Sequence, residues 1–203
     1  MARASRCRDE IIAESMGPRA RVKPSTAVAL IGLLLLGAAG CAPYPGGGDV
    51  PFLVTPPEIV DRMLRLARVG PADIVYDLGS GDGRVVIAAV RDFNAKAAIG
   101  IEIDPALVAK SREYARRAGI ADRVTFLQQD LFRADLHPAS VVTLYLTREV
   151  NLRLAPKLRA ELRPGARVVS FDFDMGDWEP RSMVRVDVNG RNTPVYLWVV
   201  PER

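Results

Sequence analysis

The chain has 203 residues, 49% hydrophobic and 26% charged, which leaves room for one packed domain behind a leader and excludes a second core. Its net charge of +4 is not a domain-wide field: residues 1–40 hold six Lys/Arg against three Asp/Glu, whereas residues 41–203 hold 22 against 21. A near-neutral domain has no overall attraction for phosphate, so a nucleic-acid partner is not expected. Two cysteines (Cys7 and Cys41) and one loop histidine (His137) exclude a disulfide framework and a Cys/His metal cluster; no metal is expected.

Thr26 to Gly40 is an uncharged apolar run, shorter than the roughly 20 residues of a membrane span but suited to a signal-peptide core. Arg19, Arg21 and Lys23 precede it, and Ala38-Ala39-Gly40-Cys41 closes it. That ending resembles the lipobox of bacterial lipoproteins, with Ala38 where leucine is commoner, and the resemblance implies lipidation of Cys41. Asp9, Glu10 and Glu14 fit poorly ahead of a signal core, so Met16 makes the better start. The alternative is an uncleaved N-terminal anchor. Either way the expected place is the bacterial envelope, as an anchored lipoprotein or in the periplasm, and the cytoplasm if the leader does not export. The division is a leader over 1–40, a Gly/Pro-rich linker over 41–50 and a folded domain over 51–203.

After the linker, strand and helix signals alternate, the pattern of a doubly wound parallel sheet covered on both faces. A helix opens at Thr55-Pro56-Pro57-Glu58, with Thr55 as cap, Pro56 in the first turn and Glu58 completing a capping box. A strand over Asp73–Asp77, a glycine loop and a helix over Arg84–Arg91 follow, then a strand over Ala98–Glu102. The next helix has Asp104 as cap, Pro105 first and Gly119 as its stop. Strands are expected over Val124–Leu127, Val141–Leu146 and Arg167–Asp172, with a helix over Arg148–Leu162 before the last. Met183–Val188 and Val195–Val200, joined at Asn189-Gly190, read as an antiparallel hairpin. Five parallel strands finished by a hairpin make a Rossmann-like seven-stranded sheet.

The strongest chemical signal is Val75-Tyr-Asp-Leu-Gly-Ser-Gly-Asp-Gly-Arg84. A buried strand ends in Asp77, and Gly79, Gly81 and Gly83 let a ligand lie against the main chain. A dinucleotide fingerprint would need glycine where Arg84 stands, so a nicotinamide oxidoreductase is disfavoured. Glu102 ends the second strand, where an acid can accept both hydroxyls of a ribose. Asp130 follows the third strand in Gln128-Gln-Asp-Leu-Phe132. Singly, each acid has a plain reading as a helix cap or a solvated loop residue; in this order on successive strand ends they form a pattern.

D-x-G-x-G-x-G after a strand resembles the cofactor motif of class I S-adenosylmethionine-dependent methyltransferases. The resemblance implies that Asp77 supports the loop and the methionine amino group, that Gly79, Gly81 and Gly83 line the methionine, and that Asp130 accepts from the adenine amino group with Leu131 on the ring. Glu149-Val-Asn-Leu-Arg-Leu154, Leu162–Ser170, Pro51-Phe-Leu-Val-Thr-Pro56 and Phe171-Asp-Phe-Asp-Met-Gly-Asp-Trp178 are similar to the non-SET lysine methyltransferases of the disruptor-of-telomeric-silencing type and their small bacterial and mitochondrial relatives. That likeness adds Thr55 to the cofactor contacts.

On the acceptor side, Thr143-Leu-Tyr-Leu-Thr147 replaces the N/D-P-P-Y/F motif of many amino-methylating enzymes, which disfavours DNA-adenine or glutamine methylation. It also departs from the asparagine-rich sequence of the histone enzymes. Tyr145 and Asp172 are the expected catalytic residues: Asp172, with Asp174 and Asp177, to steer or deprotonate a cation, and Tyr145 with Trp178 to wall a channel. The bland alternative is core aromatics and a solvated acidic loop. Three activities stay open: protein-lysine methylation, small-molecule methylation, and a non-catalytic cofactor-binding envelope protein. The last gains from the leader, since an exported domain must obtain a cofactor made in the cytoplasm. No motif specifies an oligomeric state.

Overall fold

The computed structural model describes residues 54–202, so the leader, Cys41 and the linker lie outside the described residues. The chain runs through α1 (Pro57–Leu66), β1 (Ile74–Leu78), α2 (Arg84–Arg91), β2 (Ala97–Glu102), α3 (Pro105–Arg117), β3 (Val124–Gln128), β4 (Val141–Leu144), α4 (Arg148–Glu161), β5 (Arg167–Phe171), β6 (Ser182–Val188) and β7 (Arg191–Val199). One seven-stranded sheet has the order β3-β2-β1-β4-β5-β7-β6. The first five strands are parallel, and β7 inserts antiparallel between β5 and β6. The expected doubly wound architecture with its terminal hairpin is the one observed.

Alternation along the strands feeds two cores, because successive side chains point to opposite faces. Val75, Val141 and Val169 face α1, α2 and α3, whereas Tyr76, Val142 and Val168 face α4. The six consecutive buried residues Val85–Val90 make α2 apolar nearly all round, since it is wedged between the sheet, α1 and α3. The exposed edge strand β6 carries Arg185 and Asp187, charges that discourage pairing with another chain. Asn189 and Gly190 both take left-handed φ values of 53° and 80°, as a two-residue hairpin turn requires. Opposite the strand ends that carry the acids, buried Asp73 accepts from Ser140 Oγ and pairs with Arg167, which also donates to the carbonyl of Ala67.

Four local readings change. The last strand starts at Arg191 and not at Val195. Thr55 is not the cap of α1: the cap position is Pro56, with no side-chain bond, and Thr55 is buried. β4 ends at Leu144, so Tyr145 and Leu146 belong to the loop above it. β5 ends at Phe171, and Asp172 turns out of the sheet at φ 73°. Among the described residues no helix is long and apolar enough to cross a membrane.

Candidate active site

At the C-terminal ends of β1 and β2 the main chain and the acids build one frame. The N–H groups of Gly79 and Ser80 both donate to the carbonyl of Ile101, at 2.9 and 3.0 Å, which ties the loop to β2. Gly79 has φ 78°, and a Cβ there would come within 2.7 Å of Leu146 Cδ2. Gly83, at φ 80°, is closed in differently: a Cβ would meet the Phe126 ring at 2.6 Å and Ser111 Cβ at 2.9 Å. The third glycine thus serves packing of α2 on β3 and α3 as well as loop geometry. The Ser111 hydroxyl sits 2.9 Å from the Gly81 carbonyl and 2.8 Å from that of Leu107, donating to one of them, and so supports the loop from below.

Asp77 is buried and accepts from Thr143 Oγ1 at 2.6 Å. Burial pushes its carboxyl up to about 7; the Thr143 hydrogen bond opposes that rise, and the nearby charges of Glu102 and Asp82 add to it. Glu102 accepts from Gly81 N at 2.9 Å through Oε2, and from Ile103 N and Asp104 N at 2.8 and 3.0 Å through Oε1. Its carboxylate is therefore oriented by three main-chain donors at the strand end. Asp130 accepts from Phe132 N at 2.9 Å and caps the 3-10 turn Leu131–Arg133, beside half-buried Leu131. The capping role and a place at the third strand end coexist in one residue.

Sequence reasoning missed the clamp at Asp82 and Arg84. Arg84 donates to both Asp82 oxygens, at 2.9 and 2.6 Å, and to the carbonyl of Thr55 at 2.8 Å. Burial works to raise the Asp82 carboxyl, and Arg84's hydrogen bonds and charge overcome it, leaving it below its ordinary range. This clamp, rather than a helix cap, brings Thr55 to the site. Thr55, Asp77, Gly79, Gly81, Asp82 and Tyr145 line one cleft. Of two roomier hollows, the one among α1, α2 and α3 adjoins the cleft through Asp82 and Arg84, and the one between α4 and Met175–Trp178 lies apart from it.

The acceptor side departs further from expectation. The half-buried Tyr145 ring packs on Phe171 with centroids 4.7 Å apart. Burial raises its phenol, Asp172 raises it further and Arg191 opposes. Asp172 is no free base: its carboxylate is paired with Arg191, and its N–H donates to Pro194 O at 2.8 Å. Asp174 accepts from Gly176 N at 2.8 Å and pairs with Arg148 at 3.3 Å; the Gly176 bond chiefly holds its carboxyl below the ordinary range, despite opposing burial.

Trp178 does not wall a channel with Tyr145. It is buried in the α4-side core, 6.1 Å from Trp198 and under the Arg159 guanidinium, while Tyr145 packs on the α1–α3 side. Asp177 lines the hollow on that same α4 side. Another residue overlooked is Asn151, fully buried, whose amide donates to Ser170 Oγ at 3.0 Å and to Phe173 O at 3.1 Å and so shapes the segment after β5. A polar residue within the apolar face of an otherwise amphipathic helix was its signal.

The residues fit a sulfonium amino-acid nucleoside. A buried carboxylate with no cationic partner among the described residues suits an α-amino group, the glycine turn leaves main chain open to the cleft, and acids stand oriented at the ends of β2 and β3. When bound, S-adenosylmethionine supplies an electrophilic methyl group on sulfur. The fold and this edge define a class I S-adenosylmethionine-dependent methyltransferase.

Comparisons with known proteins narrow the class. Residues 77–182 match the family model described as the ANTKMT methyltransferase domain. The chain is 42% identical to a protein-lysine N-methyltransferase of Saccharolobus islandicus over 153 residues, 75% of this chain and 95% of that protein. It is 39% identical to the adenine nucleotide translocase lysine N-methyltransferase of Mus musculus over 136 residues, 67% of this chain and 58% of that longer protein. Among solved structures it resembles an RNA methyltransferase from Salinibacter ruber in complex with S-adenosyl-L-homocysteine, at 54% identity and TM-score 0.70, covering 74% of this chain and 95% of that one. The chain belongs to the ANTKMT-type family of S-adenosylmethionine-dependent methyltransferases.

Proposed function

We propose that this chain is a protein-lysine N-methyltransferase. The observation that carries the reading is its 42% identity across 95% of the Saccharolobus islandicus lysine enzyme, which takes in the acceptor side as well as the cofactor half. In this reading Asp77, Glu102 and Asp130 hold the amino group, ribose and adenine of the cofactor, with Thr55 and the glycine loop against its methionine. Tyr145 stands at the acceptor end of the same cleft. The lysine nitrogen gives up a proton to water, its lone pair forms the N–C bond, and the electron pair of the broken C–S bond stays on sulfur. The chain's main contribution is alignment of the nitrogen with the methyl group.

A second reading rests on the Salinibacter ruber structure, whose name assigns it RNA. The near balance of charge over residues 41–203 weighs against a nucleic-acid acceptor. Incubating the full chain with methyl-labelled cofactor, once with bacterial protein extract and once with total RNA, separates the two. Methyl-lysine in the hydrolysed protein is the expected product; label confined to RNA would replace the lysine reading. The pattern of the leader supports an envelope location, which fractionation of the wild type against Cys41→Ala tests through loss of the membrane-bound pool.

A further inference from the structure

The pairing of Asp172 with Arg191 has an asymmetry that bears on how a cationic acceptor reaches the cleft. Asp172 is fixed from three directions. Its N–H is bonded to Pro194 O at 2.8 Å, the preceding Phe171 lies under the Tyr145 ring, and its own side chain is only 15% exposed. A non-glycine residue at φ 73° is strained and persists only where its surroundings impose it. Arg191 is held differently. Its side chain is 67% exposed at the start of β7, and the Asp172 carboxylate is its one hydrogen-bonded partner among the described residues.

Other arginines near the sheet are anchored more heavily. Arg84 holds both oxygens of Asp82 and the Thr55 carbonyl, and Arg167 holds Asp73 with the carbonyls of Ala67 and Arg68. The Arg191 guanidinium lies mostly in solvent and can give way to another cation while the carboxylate stays in place. The Tyr145 phenol, which lines the cofactor cleft, feels both charges.

We propose that Arg191 is the resident placeholder for the substrate cation, and that the ammonium of an acceptor lysine takes its place on Asp172 at the mouth of the cleft beside Tyr145. The inference rests on the lysine reading and adds the residue pair that selects a cationic acceptor. Exchange of one cation for another keeps the partly buried carboxylate neutralised throughout, which avoids stranding a bare charge at the mouth. Other acids of the acceptor side are already engaged: Asp174 with Arg148, and Asp187 with Gly190 N.

The test uses the full chain with labelled cofactor and poly-L-lysine as acceptor, and n-butylammonium binding followed by NMR as a readout apart from turnover. Arg191→Gln removes the competitor and is expected to lower KM for poly-L-lysine and the butylammonium Kd by about two- to fivefold, with cofactor affinity unchanged. Arg191→Lys is expected to restore both toward wild type, and Asp172→Asn to raise both. In the double variant Asp172→Asn with Arg191→Gln the gain is expected to vanish, which keeps the test sound should Asp172→Asn alone lower stability. An unchanged or raised KM and Kd in Arg191→Gln, with cofactor binding intact, would reduce Arg191 to a staple of the hairpin. Wild type that labels RNA but no lysine would instead overturn the lysine reading beneath the proposal.

Discussion

The two halves of the site are built by different means. On the cofactor side, over the ends of β1, β2 and β3, nearly every polar group is held by main chain or by a short, enclosed partner: Glu102 by three N–H groups, Asp77 by Thr143, and the Gly81 carbonyl by Ser111. On the acceptor side, over β4, β5 and the hairpin, the charges are held by exposed arginines, Arg148 and Arg191, and by one ring contact. A ligand that never changes is met by a preorganised frame, and a variable macromolecular acceptor by groups that move at small cost. The expected consequence is that substitutions on the first side abolish binding outright, whereas those on the second shift selectivity.

The sharpest way to break this contrast is Glu102→Ala. It removes the acceptor of three loop N–H groups and, in the proposed reading, of the ribose hydroxyls at once. Hydrogen bonds to a charged group contribute roughly 1.5–3 kcal/mol each, so losing two at the ribose is expected to weaken cofactor binding by about a hundredfold or more. Calorimetric titration with S-adenosylmethionine, with NAD as control, measures it. A loss under tenfold would mean that Glu102 serves the loop and not the ligand.

Asp77 gives the next effect, and its sign follows from burial. A carboxyl held at about 7 keeps its proton in the folded chain long after the unfolded chain has lost it. Stability of the free protein therefore falls as pH rises from the ordinary aspartate value toward 7, and levels off above. In the proposed reading cofactor binding goes the other way, since the ammonium of the methionine moiety is to be held by the ionised carboxylate. Affinity is expected to rise with pH by up to about tenfold per unit below 7 and to flatten above it. Asp77→Asn should be weak and lack this pH dependence; a wild-type profile that is flat from pH 5 to 8 would place the amino group elsewhere. Thr143→Val sharpens the same point with a smaller effect. Removing the donor that holds the Asp77 carboxyl down should move the midpoint of the affinity profile upward and cost a few-fold in affinity at neutral pH, leaving the profile above the new midpoint unchanged.

How much of this was legible in the chain divides along the same line. Arg84–Arg91 is helical to the residue, and the glycine loop and its three acids stand in the expected order, because those signals are local: turn residues, caps and strand ends are set by neighbours within a few positions. Thr55 shows where local rules fail. Thr-Pro-Pro-Glu satisfies a capping box, yet Arg84, 29 residues away, takes the Thr55 carbonyl while the helix starts without a side-chain cap. Asp172 reads as a free acid from sequence because its partner is 19 residues on, and the two meet only through the antiparallel register of β7 on β5. Trp178 lies on the opposite face of the sheet from the one expected, because after Asp172 leaves β5 in a left-handed turn alternation no longer predicts where the following residues point.

Trp178 supplies the smallest expected effect and the cleanest separation of wall from core. Its ring is buried with Trp198 beneath Arg159, and its carbonyl accepts from Trp198 Nε1 at 2.5 Å, a bond that does not depend on which side chain position 178 carries. Trp178→Phe keeps an aromatic in place and gives up part of the buried area, at about 1–2 kcal/mol of stability by the scale of core truncations. Because the residue faces away from Tyr145, cofactor Kd and acceptor KM are expected to stay within twofold of wild type while the melting temperature drops by several degrees. A KM that moves severalfold with unchanged stability would return Trp178 to the acceptor channel, and would mean that the segment from Asp172 to Trp178 folds over the cleft when an acceptor binds.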